Sequence, residues 1–296
     1  MDYIPAKTIV SNYQTNPNWF GTNYTMNIYK GCCHGCIYCD SRSDCYRIEN
    51  FDNVRAKENA LLLTRNDLRR KTKKGVVGIG SMSDPYNPFE KELQLTRHAL
   101  ELISAFDFGV ALATKSPLVT RDIDILTEIK DFSPVLCKIT ITTADASLCK
   151  IIEPNVASSS ERFEAVQKLS DAGIYSGILL MPVLPFITDT EENILSIVKQ
   201  AYECGAKFVY ASFGVTLRSN QRDHYYNMLQ QHFPSLQDKY MRTYGNRYCC
   251  TSPKARKLWG LFAKECEKYG LLYKMPDIIR TYKSLPRPRQ LSLFDF

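Results

Sequence analysis

Within the segment YKGCCHGCIYCD, Cys32, Cys36 and Cys39 are separated by three and then two residues. That spacing lets one short loop wrap three thiolates around the corner of a cube, and soft thiolates select iron–sulfur clusters or zinc over hard cations. Three ligands is the informative number, because a structural zinc site normally closes with four. Three cysteines would leave one iron of a 4Fe-4S cluster open to a substrate. The alternative is a closed zinc site completed from Cys33, His34 or Cys45, which lie close by in the chain.

A loop of this kind needs a rigid support. Between residues 24 and 213, short apolar, β-branched runs alternate with longer amphipathic stretches, the pattern of repeated βα units on a parallel sheet. Strands are expected at 24–29, 76–80, 109–114, 135–142, 175–181 and 208–213. Ala99, Leu102, Ile103 and Phe106 recur at helical spacing, as do Ile194, Ile197, Val198 and Ala201, so each set lines one helix face. Ser158 with Glu161, and Thr188 with Glu191, carry the S/T-x-x-E spacing of a helix start. The expected fold is α/β, a partial (β/α)6 TIM-type barrel with a helical C-terminal extension, and chemistry collects at the strand C-terminal ends. The cysteine loop directly follows the first strand and so falls at that end. Beyond residue 215 no strand is expected, and 225–233, 236–242 and 254–269 read as helices. The organisation predicted is a core at 1–215, a basic helical extension at 216–284 and a flexible tail at 285–296, where the prolines of PRPRQ oppose a helix.

The composition agrees with a folded protein. Of 296 residues, 44% are hydrophobic and 23% charged, enough for a buried core and against disorder. No apolar run approaches the roughly 18 residues of a membrane span, and the N-terminus lacks the apolar centre of a signal peptide. A cytoplasmic location, with no membrane partner, is the expectation. In a reducing compartment eleven cysteines imply metal or redox chemistry rather than disulfides. Five of them fall between Cys32 and Cys45, whereas the isolated Cys137, Cys149, Cys204 and Cys266 read as core packing. The net charge of +7 is unevenly placed: from residue 241 onward there are 12 Lys/Arg against 4 Asp/Glu, a balance of +8, which leaves −1 for residues 1–240. A polyanionic partner and a solvated helix face both explain such a run.

The CxxxCxxC loop behind strand one of a six-unit βα chain, with Tyr38 just before the last cysteine, resembles the radical S-adenosylmethionine superfamily. The flanking residues and the EP…R pattern at Glu153, Pro154 and Arg162 resemble its spore photoproduct lyase-like (DNA repair photolyase-like) branch. The resemblance spans residues 20 to about 215. It implies a 4Fe-4S cluster on Cys32, Cys36 and Cys39 that binds S-adenosyl-L-methionine at its open iron and splits it reductively to a 5′-deoxyadenosyl radical. It also implies an electron donor such as flavodoxin or ferredoxin. Cofactor contacts are then expected at the strand ends: Tyr38; Ser81, Ser83 and Asp84 after strand two; Thr114 and Lys115 after strand three, with Lys115 toward the methionine carboxylate; Thr142 after strand four; Arg162; and Met181 after strand five, beside the adenine. Arg162 could instead pair with Glu161 or Glu153. One departure stands out: where spore photoproduct lyase has a cysteine that donates a hydrogen atom, this chain aligns Ser81, so the same reaction requires Cys33, Cys45 or a tyrosine in that role.

At the C-terminus, QLSLF resembles the pentapeptide by which bacterial polymerases and repair proteins dock on the sliding clamp, with Gln290, Leu291, Leu293 and Phe294 as its contacts. Nearby, Tyr240, Arg242, Tyr244, Arg247 and Tyr248 interleave cations with aromatics, followed by Lys254, Arg256 and Lys257; such a surface neutralises phosphates and stacks bases. DNA is therefore the preferred substrate. The rivals are a radical enzyme acting on RNA, protein or a small molecule, and a non-catalytic, metal-stabilised binding protein recruited by the clamp.

Overall fold

The structure, a computed structural model, describes residues 1–13 and 19–284. Six strands, β1 (Tyr24–Met26), β2 (Val76–Ile79), β3 (Gly109–Thr114), β4 (Val135–Thr140), β5 (Ser176–Leu180) and β6 (Val209–Ala211), lie side by side in chain order, each parallel to the next. They are joined by α1 (Ala60–Arg70), α2 (Leu95–Ala105), α3 (Ile123–Phe132), α4 (Ser159–Asp171) and α5 (Glu191–Glu203). The curl is a partial barrel: β6 is one edge, and the far edge of β1 is occupied by the antiparallel strand Val10–Asn12.

Alternation along each strand sorts side chains into two layers. Val110 and Leu112, Cys137 and Ile139, and Ile178 and Leu180 point outward into a core shared with the helices, where Ala99 and Ile103 of α2 and Ile194, Ile197, Val198 and Ala201 of α5 are buried. Each such aliphatic side chain is worth about 1.5–3 kcal/mol of burial. Cys137, Cys149, Cys204 and Cys266 are buried as expected. The opposite face carries Val76, Ala111, Leu136 and Leu179 into the lumen, whose base is filled by Phe20, Tyr175 and Phe208.

Helix starts follow the sequence in one case and not the other. Ser158 and Glu161 form a reciprocal capping box on α4, Ser158 Oγ accepting from the Glu161 N–H at 3.3 Å and the Glu161 carboxylate from the Ser158 N–H at 2.8 Å. Thr188 is not a cap. Its hydroxyl accepts the Leu184 N–H at 2.7 Å inside the preceding turn, and Thr190 caps α5 on the Asn193 N–H at 3.2 Å.

The region beyond residue 215 also differs from expectation. β7 (Gly214–Thr216) pairs antiparallel with β8 (Cys249–Thr251), so a division at 215/216 cuts through a strand. Between these strands lie α6 (Gln221–His232) and α7 (Pro234–Tyr244), and α8 (Ala255–Lys268) packs on α5. A further helix, α9 (Met275–Ser284), closes the base of the lumen: Ile278 and Tyr282 are buried there, and the Tyr282 hydroxyl donates to the Phe20 carbonyl at 2.6 Å. Gln290, Leu291, Leu293 and Phe294 lie outside the described residues. Among those described, no helix is long and apolar enough to cross a membrane.

Candidate active site

The three cysteines sit on a loop whose backbone is tied down from three sides. The Cys32 N–H donates to the Phe51 carbonyl at 2.8 Å, the Ile37 N–H to the Ile152 carbonyl at 3.0 Å, and the Asn155 N–H and side-chain amide to the His34 and Cys33 carbonyls at 3.1 and 2.9 Å. Gln221 of α6 reaches the Tyr38 carbonyl at 3.3 Å. Gly35, at φ +68°, makes the turn between the first two cysteines, where any side chain would be strained and would press on Pro154. As a result Cys32, Cys36 and Cys39 face one cavity with Gly80, Ser81, Ser83, Asp84, Thr114, Lys115 and Thr140 around it.

Asp84 organises the far wall. Its carboxylate accepts from the Thr114 hydroxyl at 2.6 Å, the Lys115 N–H at 2.8 Å and the Tyr86 N–H at 2.9 Å, which locks the ends of β2 and β3 together; His34 Nδ1 lies 3.5 Å away. Gly80 permits this approach: at φ +91° its α-carbon passes so near the Ala113 carbonyl that a Cβ would collide with it. Ser83 donates to the Tyr29 carbonyl at 3.1 Å, and Ser81 is exposed to the cavity.

The thiols differ in their electrostatics. Burial pushes Cys36 and Cys39 up, Cys36 most strongly. At Cys32 the upward push of burial is outweighed by the hydrogen bond and charge of His34, and the net direction is down. Burial would depress Lys115, but Cys36, Glu153, Cys39 and Asp84 around it hold it above the usual lysine range, so it is a firm cation beside the thiols.

Three of the predicted cofactor contacts lie behind the cavity rather than in its wall. Arg162 is fully buried; it pairs with Glu153 at 2.7 Å and donates to the Thr140 carbonyl at 2.7 Å and the Cys149 sulfur at 2.9 Å. Glu153 in turn accepts from the Tyr38 hydroxyl and, at 3.3 Å, from Thr142. Despite its burial, the charges of Arg162 and Lys115 hold the Glu153 carboxyl below the usual range. The guanidinium is therefore already occupied by a carboxylate of this chain, and Tyr38, Thr142 and Arg162 brace the loop from outside. Met181 lies elsewhere again, in the wall of a second chamber of about 220 Å³ within the barrel lumen. That chamber shares Gly80, Ser81, Ala113 and Thr140 with the lining of the cysteine cavity, so the two adjoin. Asn155, Gln221 and Lys138 carry no sequence signal as site residues, and His34 stands out in the sequence only as a possible ligand of a closed zinc site.

The donor set suits a cluster better than a single ion. Among the described residues no three His, Cys, Asp or Glu side chains converge closely enough to share one metal, whereas a cube carries its ligands on different irons. Cys33 packs against the apolar core, Cys45 is exposed, and neither lines the cavity. A cluster held by Cys32, Cys36 and Cys39 would find no fourth thiolate among the described residues of the cavity wall, which offers His34, Ser81, Ser83 and Lys115 instead.

Comparison with known proteins agrees. The family model described as "Radical SAM superfamily" matches residues 26–198. An uncharacterized protein of Methanocaldococcus jannaschii is 33% identical over 217 residues, 72% of this chain and 78% of that one. One of Mycobacterium tuberculosis is 28% identical over 228 residues, 75% of this chain and 67% of the relative. Among solved structures, spore photoproduct lyase complexed with dinucleoside spore photoproduct has the same fold, with a TM-score of 0.66 at 16% identity over 91% of this chain and 80% of that one.

Proposed function

The chain belongs to the radical S-adenosylmethionine superfamily, and from that premise we propose a lyase-like, repair-type enzyme that acts on DNA. Its cofactors are a 4Fe-4S cluster and S-adenosyl-L-methionine. When bound, the cluster supplies an open iron for the methionine end of S-adenosylmethionine and the electron that releases a 5′-deoxyadenosyl radical.

The residues of this chain set the conditions. Cys32, Cys36 and Cys39 hold the cluster; Lys115, Ser81 and Ser83 bind the methionine group; Asp84 and Thr114 fix the loops that carry them; Tyr38, Thr142, Glu153 and Arg162 hold the cysteine loop in place; and Met181 walls the chamber beyond. The observation that carries the reading is that the thiol cavity and the lumen chamber adjoin, with Ser81 in the lining of both. A substrate group held in the second chamber would lie beside the place where the cofactor would be bound. A serine in that shared lining is a poor hydrogen-atom donor, so the reaction differs from that of spore photoproduct lyase or draws on another residue.

DNA is supported by the fold shared with an enzyme solved on a dinucleoside lesion and by exposed Arg242, Arg247, Lys254, Arg256 and Lys257. Aromatic support is smaller than the sequence suggested. Tyr240 and Tyr244 are buried among Tyr225 and Phe186, which leaves Tyr248 exposed. All eleven cysteines are free, which suits a reducing cytoplasm and a small electron donor such as flavodoxin or ferredoxin. The QLSLF tail would dock the enzyme on the sliding clamp; clamp pull-down by the full chain, lost on deletion of residues 290–296, is the expected result. The overall reading is tested by anaerobic reconstitution with dithionite and S-adenosylmethionine on damaged and undamaged DNA. It expects 5′-deoxyadenosine and a changed nucleotide, whereas 5′-deoxyadenosine with no DNA product favours an RNA, protein or small-molecule substrate.

A further inference from the structure

Below the thiol cavity the lumen holds a charge that the cofactor contacts do not use. Lys138 follows the inward face of β4 between Leu136 and Thr140 and is 4% exposed. Its ammonium has a 3.5 Å contact to the Ala111 carbonyl and stands 4.6 Å from the centre of the Phe20 ring. No Asp or Glu is among the described residues lining its chamber. Burial draws it down to about 7, opposed only by Cys137 on the outer face of the same strand.

An amine buried this way and left with a long contact to one carbonyl has unused hydrogen-bond capacity. The chamber states what would use it. Trp19, Phe20, Leu179 and Met181 are flat or apolar walls, while Thr25, Ser81 and Thr140 are neutral. A cationic group would be repelled by Lys138. A phosphate would lose most of its hydration for a single cation, an expensive exchange. A planar ring carrying a carbonyl oxygen meets both requirements, with apolar faces for the walls and one acceptor for the ammonium.

We infer that this chamber receives the substrate ring and that Lys138 is its recognition residue, donating a hydrogen bond to a ring carbonyl. The inference rests on the DNA-acting reading of the same site, which makes the ring a nucleobase.

Trp19 in the chamber wall supplies a direct readout. In a Trp259→Phe background it is the one remaining tryptophan, and its emission is followed as cluster-loaded protein is titrated with thymidine or with the difluorotoluene deoxynucleoside, which has the same shape and no carbonyl. A hydrogen bond to a charged donor is worth about 1.5–3 kcal/mol, so thymidine should bind about tenfold tighter or more. Lys138→Met should bring the two ligands to within about twofold, and Lys138→Gln, which keeps a donor, should restore part of the preference. The same preference in Lys138→Met as in the parent, or no response of Trp19 to either ligand, overturns the inference. 5′-Deoxyadenosine formation and DNA turnover in the same preparations keep the two readings apart: turnover without the Lys138-dependent preference rejects this inference alone, and no 5′-deoxyadenosine rejects the function on which it rests.

Discussion

Replacing Lys138 by methionine should make the protein more stable, because the structure keeps an amine where its charge is costly. Burial lowers Lys138 from 10.5 to about 7, and at about 1.4 kcal/mol per pH unit the fully protonated side chain costs on the order of 5 kcal/mol relative to the neutral one. At pH 7, with about half of the folded molecules protonated, the cost is about 4 kcal/mol. The sign follows from proton counting. Between about 7 and 10.5 the unfolded chain holds the proton and the folded one releases it, so the Lys138 contribution improves as pH rises through that window and is at its worst below it. Met fills a similar length with no charge, so Lys138→Met should gain up to about 4 kcal/mol at pH 7, and the gain should fade toward zero near pH 10.5. Urea unfolding of both cluster-loaded proteins under anaerobic conditions measures this, since loss of the cluster is common to the two and cancels in the difference. A variant less stable than its parent at pH 7, or a difference that is the same at both ends of the window, would refute the reasoning.

Alanine at Cys32, Cys36 or Cys39 should reduce bound iron to background and abolish 5′-deoxyadenosine formation, while Cys33→Ala and Cys45→Ala keep both; iron lost from the Cys45 variant would reinstate a closed four-ligand site. Arg162→Met strands the Glu153 carboxylate in a buried position and should cost about 3–5 kcal/mol, read from urea midpoints, with part recovered when Glu153→Leu is added; an unchanged midpoint would show that the pair does not brace the loop. Affinity for DNA should fall with salt at a log–log slope of about −0.9 per phosphate neutralised, and Arg242→Ala with Arg247→Ala should flatten it by about the two phosphates they contact; a slope near zero in the parent removes DNA as the substrate.

The barrel was legible because its signals are local. Each strand is a short β-branched run, each covering helix repeats apolar residues at three and four, and these periods survive in any window of about a dozen residues. The cysteine loop was legible for the same reason, its ligands lying within eight consecutive positions. The failures share the opposite cause. β8 is three residues long and exists only through pairing with β7 more than thirty residues earlier, so no local pattern announces it. Thr188 has the spacing of a cap, yet the turn at Leu184 claims its hydroxyl. Arg162 has two readings in the sequence, a cofactor contact or a partner for an acidic neighbour, and only the fold, which buries it 2.7 Å from Glu153, favours the second.

Residue type and spacing alone determined the parallel βα architecture, the three-thiolate loop and its place after the first strand, since these depend on neighbours along the chain. Only the tertiary structure decided which strand-end residues line the cavity and which stand behind it, that helix α9 packs at the base of the lumen, and that Lys138 points into a chamber with no Asp or Glu among its described lining residues. Those facts depend on which side chains from distant segments arrive at the same point and on how much water is left between them.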